Sequence, residues 1–175
     1  KVECKDGTAG RYPCENVTLL SFLSLSDLGG FGAEVNDVWG WTDPQTGTEY
    51  ALVARTVGTA FVDVSTPTEP VLVGNLPSHS GSSTWRDVKV FKNHAFVVSE
   101  AAGHGMQVFD LTQLRDVAPA DQPVTFDETA HYDGVERAHN VVVNKKSGFA
   151  YIVGGNGGGT TCGGGLHMLN VRTPT

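Results

Sequence analysis

Short apolar runs separated by polar turns recur three times along this chain. In the middle of the chain, strand-forming residues occupy 88–91 and 96–98, on either side of Lys92 and Asn93, which form a two-residue hairpin loop. A third apolar run, 106–111, follows after a loop that contains glycine. The pattern predicts three successive antiparallel strands in this part of the chain.

The same set of runs occurs once before and once after this central unit. The first strands are predicted to start at Asp37, Asp87 and Asn140, a spacing of about 50 residues. A period of this length with several strands per unit is typical of β-propeller blades. We therefore expect an all-β fold with about three four-stranded blades of a larger β-propeller.

The repeats divide the chain into a lead-in segment and a set of blades. Residues 1–34 form the lead-in segment, which contains a disulfide loop, and the blades occupy 35–78, 79–133 and 134–175. The third blade is incomplete, because the chain stops where its fourth strand is expected to begin. A propeller closes when its last blade meets its first, so the expected partners are the remainder of a longer chain or further copies of this one.

Charge and hydrophobicity restrict the other partners. The chain has 19 acidic and 12 basic residues and a formal net charge of −7. Binding to phosphates requires clustered Lys and Arg, so we expect no nucleic-acid partner. No apolar run approaches the roughly 20 residues that a membrane span needs, so we expect no membrane span in this segment.

The cysteines indicate the compartment. Cys4 and Cys14 lie close together across a loop with glycine and proline, which predicts a local disulfide bond, since a structural zinc site would need four ligands. A disulfide implies an oxidising compartment, so we expect a secreted or cell-surface protein. Cys162 has no local partner and is expected to pair with a segment after Thr175 or with another chain.

Several motifs are spread along nearly the whole chain. They occupy residues 4–14, 37–43, 58–64, 85–90, 99–110 and 162–168. Through these motifs the chain resembles the choice-of-anchor B proteins, whose LVIVD-type repeats look like propeller blades. Phe61-Val62-Asp63-Val64 and Leu169-Asn170-Val171 stand at the repeat motif, the second with Asn in place of Asp. The resemblance implies a secreted or surface-anchored protein, typically bacterial, with further repeats, but it implies no established activity.

Propeller geometry predicts where a ligand would bind. In each blade, the start of the first strand and the loop between the second and third strands lie on the same face. Polar residues gather on that face, whereas the opposite face receives plain hairpin turns. The predicted ligand-binding residues are Arg86, Asp87, Glu100, His104, His139 and Asn140.

Two interpretations of the residues at the first-strand starts need no catalysis. Asp37, Asp87 and Asn140 share one repeat position, where their side chains would cap neighbouring backbone N–H groups. Alternatively, Asp37 and Asp87 with His139 would bind a metal, either calcium or another divalent cation. Carboxylate oxygens suit calcium, and an added imidazole suits a transition metal.

A catalytic interpretation is also open, with His104 or His139 as the general base and Glu100 or Asp87 as its partner. No nucleophile motif or spaced carboxylate pair stands out, so the catalytic residues are unknown and a binding role is favoured. The tryptophans near the first-strand positions are expected to pack between blades, with a sugar-stacking surface as the alternative. They are Trp39, Trp41 and Trp85.

We therefore predict a secreted or cell-surface β-propeller that acts as a binding or interaction module. The expected ligand at the channel mouth is a cation or a small polar molecule, and the expected partner is a surface protein or a glycan. The alternative is a metal-dependent enzyme, a hydrolase or lyase, whose site lies on the same face.

Overall fold

The structure, a computed structural model, describes residues 1–30, 33–155 and 164–174. Within these ranges the chain is all-β, as predicted, with fourteen strands in four sheets and two short 3-10 helices. No sheet in the described part closes on itself. None of the helices there has the length and apolar character that a membrane crossing would need.

The strands follow one another with short connections. They are β1 (Thr8–Ala9), β2 (Tyr12–Pro13), β3 (Val35–Thr42), β4 (Glu49–Arg55), β5 (Gly58–Asp63), β6 (Val71–Pro77), β7 (Arg86–Phe91), β8 (His94–Ser99), β9 (Met106–Asp110), β10 (Val124–Thr125), β11 (Ala130–Tyr132), β12 (Asn140–Asn144), β13 (Phe149–Val153) and β14 (His167–Asn170). The 3-10 helices are Leu111–Asp116 and Pro119–Asp121.

Three of the sheets consist mainly of strands that are consecutive along the chain. The first sheet contains β3 to β6 in sequence order, and β10 joins its β6 edge in parallel. The second sheet has the order β11-β9-β8-β7, and the third contains β12, β13 and β14. The turn between β7 and β8 has two residues, as predicted, because Phe91 pairs with His94. Lys92 takes the positive φ in this turn, at +53°.

The core lies between successive sheets. Leu52 and Phe61 of the first sheet pack with Val88 and Phe109 of the second, and the Phe61 and Phe109 rings stack 4.7 Å apart. A separate cluster joins the second and third sheets in the same way. The first strands of the three sheets lie side by side, with β7 next to both β3 and β12. Each sheet therefore buries one face against its neighbour.

The lead-in segment covers the outer face of the first sheet. Leu28 is buried against Ala60 and Val62, which alternate along β5 with the inward-facing Phe61. Strands of the first sheet are thus apolar on both faces, as expected for strands that are covered on both sides. Near the start of this segment, the β1–β2 hairpin is closed by the predicted disulfide.

That disulfide joins Cys4 and Cys14, whose Cα atoms are 5.8 Å apart. Its presence confirms the pairing predicted from the cysteine spacing, and it fits an oxidising compartment. Cys162 lies outside the described residues, so its predicted partner stays a prediction.

A buried ion pair ties the first sheet to the connection after β9. Asp43, at the turn between β3 and β4, is fully buried and accepts two bonds from Arg115, from Nε at 2.7 Å and Nη2 at 2.6 Å. It also accepts bonds from the Gln45 amide and the Thr46 hydroxyl. The Arg115 guanidinium holds the pKa of this carboxyl well below its ordinary value of 3.8, with further help from the Gln45 and Thr46 bonds.

We predict that Asp43→Ala lowers the free energy of unfolding by about 2–4 kcal/mol, because it leaves Arg115 and two local donors without their acceptor. Urea denaturation at neutral pH measures the loss. Asp63→Ala is the matched control, since Asp63 accepts a bond from the Ser65 amide in a turn that is only half-buried. It should cost about 1 kcal/mol or less. Equal losses in the two variants would contradict a special role for the ion pair.

Candidate functional site

Two carboxylates, each near the start of the first strand of its sheet, connect neighbouring sheets. Asp37 of β3 accepts a bond from the Val88 amide of β7 at 3.0 Å. In the next sheet, Asp87 of β7 accepts a bond from the Val141 amide of β12 at 2.7 Å. The same contact therefore recurs between consecutive sheets, and it places the three first-strand starts at one edge of the assembly. Asn140 also contacts Asp87, through Nδ2 at 3.3 Å.

Lys89 lies between the two carboxylates. Its ammonium donates to Asp87 and lies 3.4 Å from Asp37 Oδ2, and it sits over the Trp39 ring at 4.6 Å from the centroid. A divalent cation at Asp37 and Asp87 would have to displace this ammonium or tolerate its charge. The predicted metal set of Asp37, Asp87 and His139 stays a prediction, and it would require Lys89 to move.

The two carboxylates have different environments. Burial raises the pKa of Asp87, and the neighbouring Asp37 raises it further, against the opposing effect of Lys89. Burial also acts to raise the pKa of Asp37, but hydrogen bonding with Asp87 and Val88 and the charge of Lys89 outweigh it, so that pKa is lowered.

A cavity of about 210 Å³ opens beside these first-strand starts. We call it the Trp85 cavity, and its lining residues are Asn36, Asp37, Trp85, Arg86, Asp87, His139 and Asn140. The Trp85 side chain is exposed, at 52% of its full surface, and its ring lies 5.7 Å from that of His139. His139 Nδ1 is hydrogen-bonded to Glu100. Four of the six predicted ligand-binding residues therefore line the cavity, and a fifth, Glu100, contacts one of them, His139.

His104 is the predicted residue that lies elsewhere. It is fully buried, and its Nε2 accepts a bond from Arg86 Nη1 at 2.9 Å. Its Nδ1 is 3.2 Å from the Gly105 carbonyl oxygen. Burial, with the charge of Arg86, lowers the pKa of His104 to about 4. A neutral, enclosed imidazole that holds Arg86 has no access to a substrate, so its predicted role as a general base is not supported.

The tryptophans divide between core and surface. Trp41 is buried and stacks on Tyr50, with ring centroids 5.4 Å apart, and Trp39 is half-buried under Lys89. Trp85 does not pack between sheets as expected, because it precedes β7 and its side chain lies outside the core. Its exposure could not be predicted, since all three tryptophans stand near first-strand positions.

A second group of ligand-type side chains was not predicted at all. His79, Glu128 and His131 place their ligand atoms within 4.8 Å of one another, and we call them the His79 cluster. His79 follows β6, whereas the other two precede and belong to β11, so no short sequence motif contains them. Only the fold brings them together.

Comparison with known proteins does not assign the chain to a family. No family model, no curated protein and no solved structure matches it. The resemblance to choice-of-anchor B proteins therefore rests on the sequence motifs.

The buried His104 predicts a pH-dependent stability. Its folded-state pKa of about 4 lies below the ordinary value of 6.5, so the unfolded chain takes up this proton first as the pH falls. The stabilisation is complete above pH 6.5 and is lost towards pH 4. We expect His104→Gln to reduce the slope of unfolding free energy against pH in this window, measured in metal-free buffer. A wild-type slope in His104→Gln would contradict the prediction.

Proposed function

We propose that the chain is part of a secreted or cell-surface β-propeller, similar to the choice-of-anchor B proteins, that acts as a binding module. Its Trp85 cavity binds a small polar ligand, the sugar ring of a surface glycan. The observation that carries this proposal is the exposed Trp85 indole beside His139, at the rim of a cavity lined by carboxylate and amide side chains.

The arrangement of the sheets supports the propeller. Three successive antiparallel sheets place their first strands side by side, and the Asp37–Val88 contact recurs as the Asp87–Val141 contact. Asn140 occupies the same repeat position, and its side chain contacts Asp87 of the preceding sheet. Three sheets do not close a ring, so the remainder of a longer chain or further copies would complete it.

The charges around the cavity favour a neutral polar ligand. A cation meets Lys89, which already lies between Asp37 and Asp87. An anion would be repelled by those same carboxylates and by Glu100. A sugar carries no charge, offers an apolar C–H face to an exposed indole, and donates its hydroxyls to carboxylate and amide oxygens. Such a combination of one aromatic surface and a few polar groups is typical of small-molecule sites.

We predict that neutral sugars bind at Trp85. In a titration with a panel of neutral mono- and oligosaccharides, followed by NMR of the three tryptophan indole N–H groups, the Trp85 signal should shift and the buried Trp41 signal should not. Trp85→Ala should weaken binding by roughly tenfold or more, because it removes the stacking surface. Trp39→Phe, which keeps an aromatic ring under Lys89, is the matched control.

Two outcomes would count against this function. No shift of the Trp85 signal with any sugar in the panel would remove the glycan ligand. Binding that survives Trp85→Ala would move the ligand to another surface. Unchanged amide spectra of the variants would show in either case that the sheets are intact.

A further inference from the structure

We propose that His79, Glu128 and His131 form a binding site for a divalent transition-metal ion of the zinc class. His79 lies on the connection after β6, Glu128 lies before β11, and His131 lies in β11. Their ligand atoms are all within 4.8 Å of one another, and His79 Nδ1 is 2.8 Å from Glu128 Oε1. The site is separate from the Trp85 cavity and does not depend on the proposed glycan ligand.

The donor set identifies the class of metal. Two imidazoles and one carboxylate are the protein ligands of many zinc centres that keep a position open for water. Imidazole ligands favour zinc, nickel, cobalt and copper over calcium and magnesium, which prefer oxygen ligands alone. The net charge of −7 also favours the approach of a cation.

Two of the three ligand side chains, those of His131 and Glu128, each make a hydrogen bond to a residue outside the cluster. His131 donates from Nε2 to the His104 carbonyl oxygen at 2.8 Å, which leaves its Nδ1 as the nitrogen with a lone pair. Glu128 Oε2 accepts a bond from Gln107 Nε2 at 2.9 Å, which leaves Oε1 towards His79. Outer-shell bonds of this kind orient metal ligands and strengthen binding.

The backbone makes room for this arrangement. Gly105 has a φ of +58°, and a Cβ atom there would collide with the Tyr132 carbonyl oxygen and lie 2.8 Å from His131 Nε2. Glycine at this position thus lets β11 approach the start of β9 closely enough for His131 to reach the His104 carbonyl.

The imidazoles of His79 and His131 are stacked, with centroids 3.6 Å apart and planes within 6°. The nitrogen lone pairs of two parallel rings lie in separate parallel planes. Both nitrogens can therefore bind one ion only if one ring tilts. His79 can do so, because it lies on a loop and its side chain keeps 34% of its exposure. A bound ion would replace the proton between His79 and Glu128.

Solvent reaches the site from one side. A cavity of about 220 Å³ is lined by His79, Glu128 and Gln107, with Asp127 beside them. Water molecules in this cavity would complete the coordination of an ion that has three protein ligands.

The experiment uses tag-free, EDTA-treated protein titrated with zinc chloride by calorimetry. We expect saturable binding of one ion per chain, weakened at least about tenfold in His79→Ala, His131→Ala and the isosteric Glu128→Gln. His94→Ala, at the opposite end of the second sheet, and His139→Ala, in the Trp85 cavity, are matched controls and should bind as the wild type does.

A second measurement locates the ion without any variant. Paramagnetic cobalt(II) should broaden the imidazole NMR signals of His79 and His131 and leave those of His94 and His139 sharp. Absence of saturable binding, equal losses in site and control variants, or broadening centred on His139 would each overturn the proposal. All three outcomes concern the metal alone, so they leave the sugar titration at Trp85 as an independent test of the proposed function.

Discussion

Neighbouring sheets in this protein meet along strands that share no backbone ladder. The first strands β3, β7 and β12 are each the edge of a separate sheet, yet they lie side by side. Val88 and Val141 are fully buried there, and a buried amide without a partner is costly. The carboxylates of Asp37 and Asp87 supply the missing acceptors. These two contacts complement the apolar core that packs the sheets side by side, and Lys89 balances the charge of the carboxylates.

Because Asp37 and Asp87 bind backbone amides of the neighbouring sheets, they have less capacity to bind a ligand. Asp37 and Asp87 have amide and ammonium partners, so little of their binding capacity is left for a cation. The groups that keep free surface at the same edge are Trp85, Asn36 and Asn140, and these suit a neutral polar ligand.

Sequence reasoning succeeded where the information was local. Apolar runs and turn residues predicted the all-β class and the β7–β8 hairpin, and cysteine spacing predicted the Cys4–Cys14 bond. It failed where contacts join distant parts of the chain. The parallel addition of β10 to β6 and the ion pair between Asp43 and Arg115 have no local pattern. The exposure of Trp85 and the assembly of the His79 cluster likewise depend on the fold.

Both candidate sites lie at the same end of the sheets, and a buried polar network connects them. Arg86 of the Trp85 cavity donates to the His104 ring, and the His104 carbonyl oxygen accepts a bond from His131 of the His79 cluster. A network in a low-dielectric interior is stable only when each member keeps its partners. Loops at this end therefore cannot vary independently, because a change in one loop would remove a hydrogen-bond partner from another.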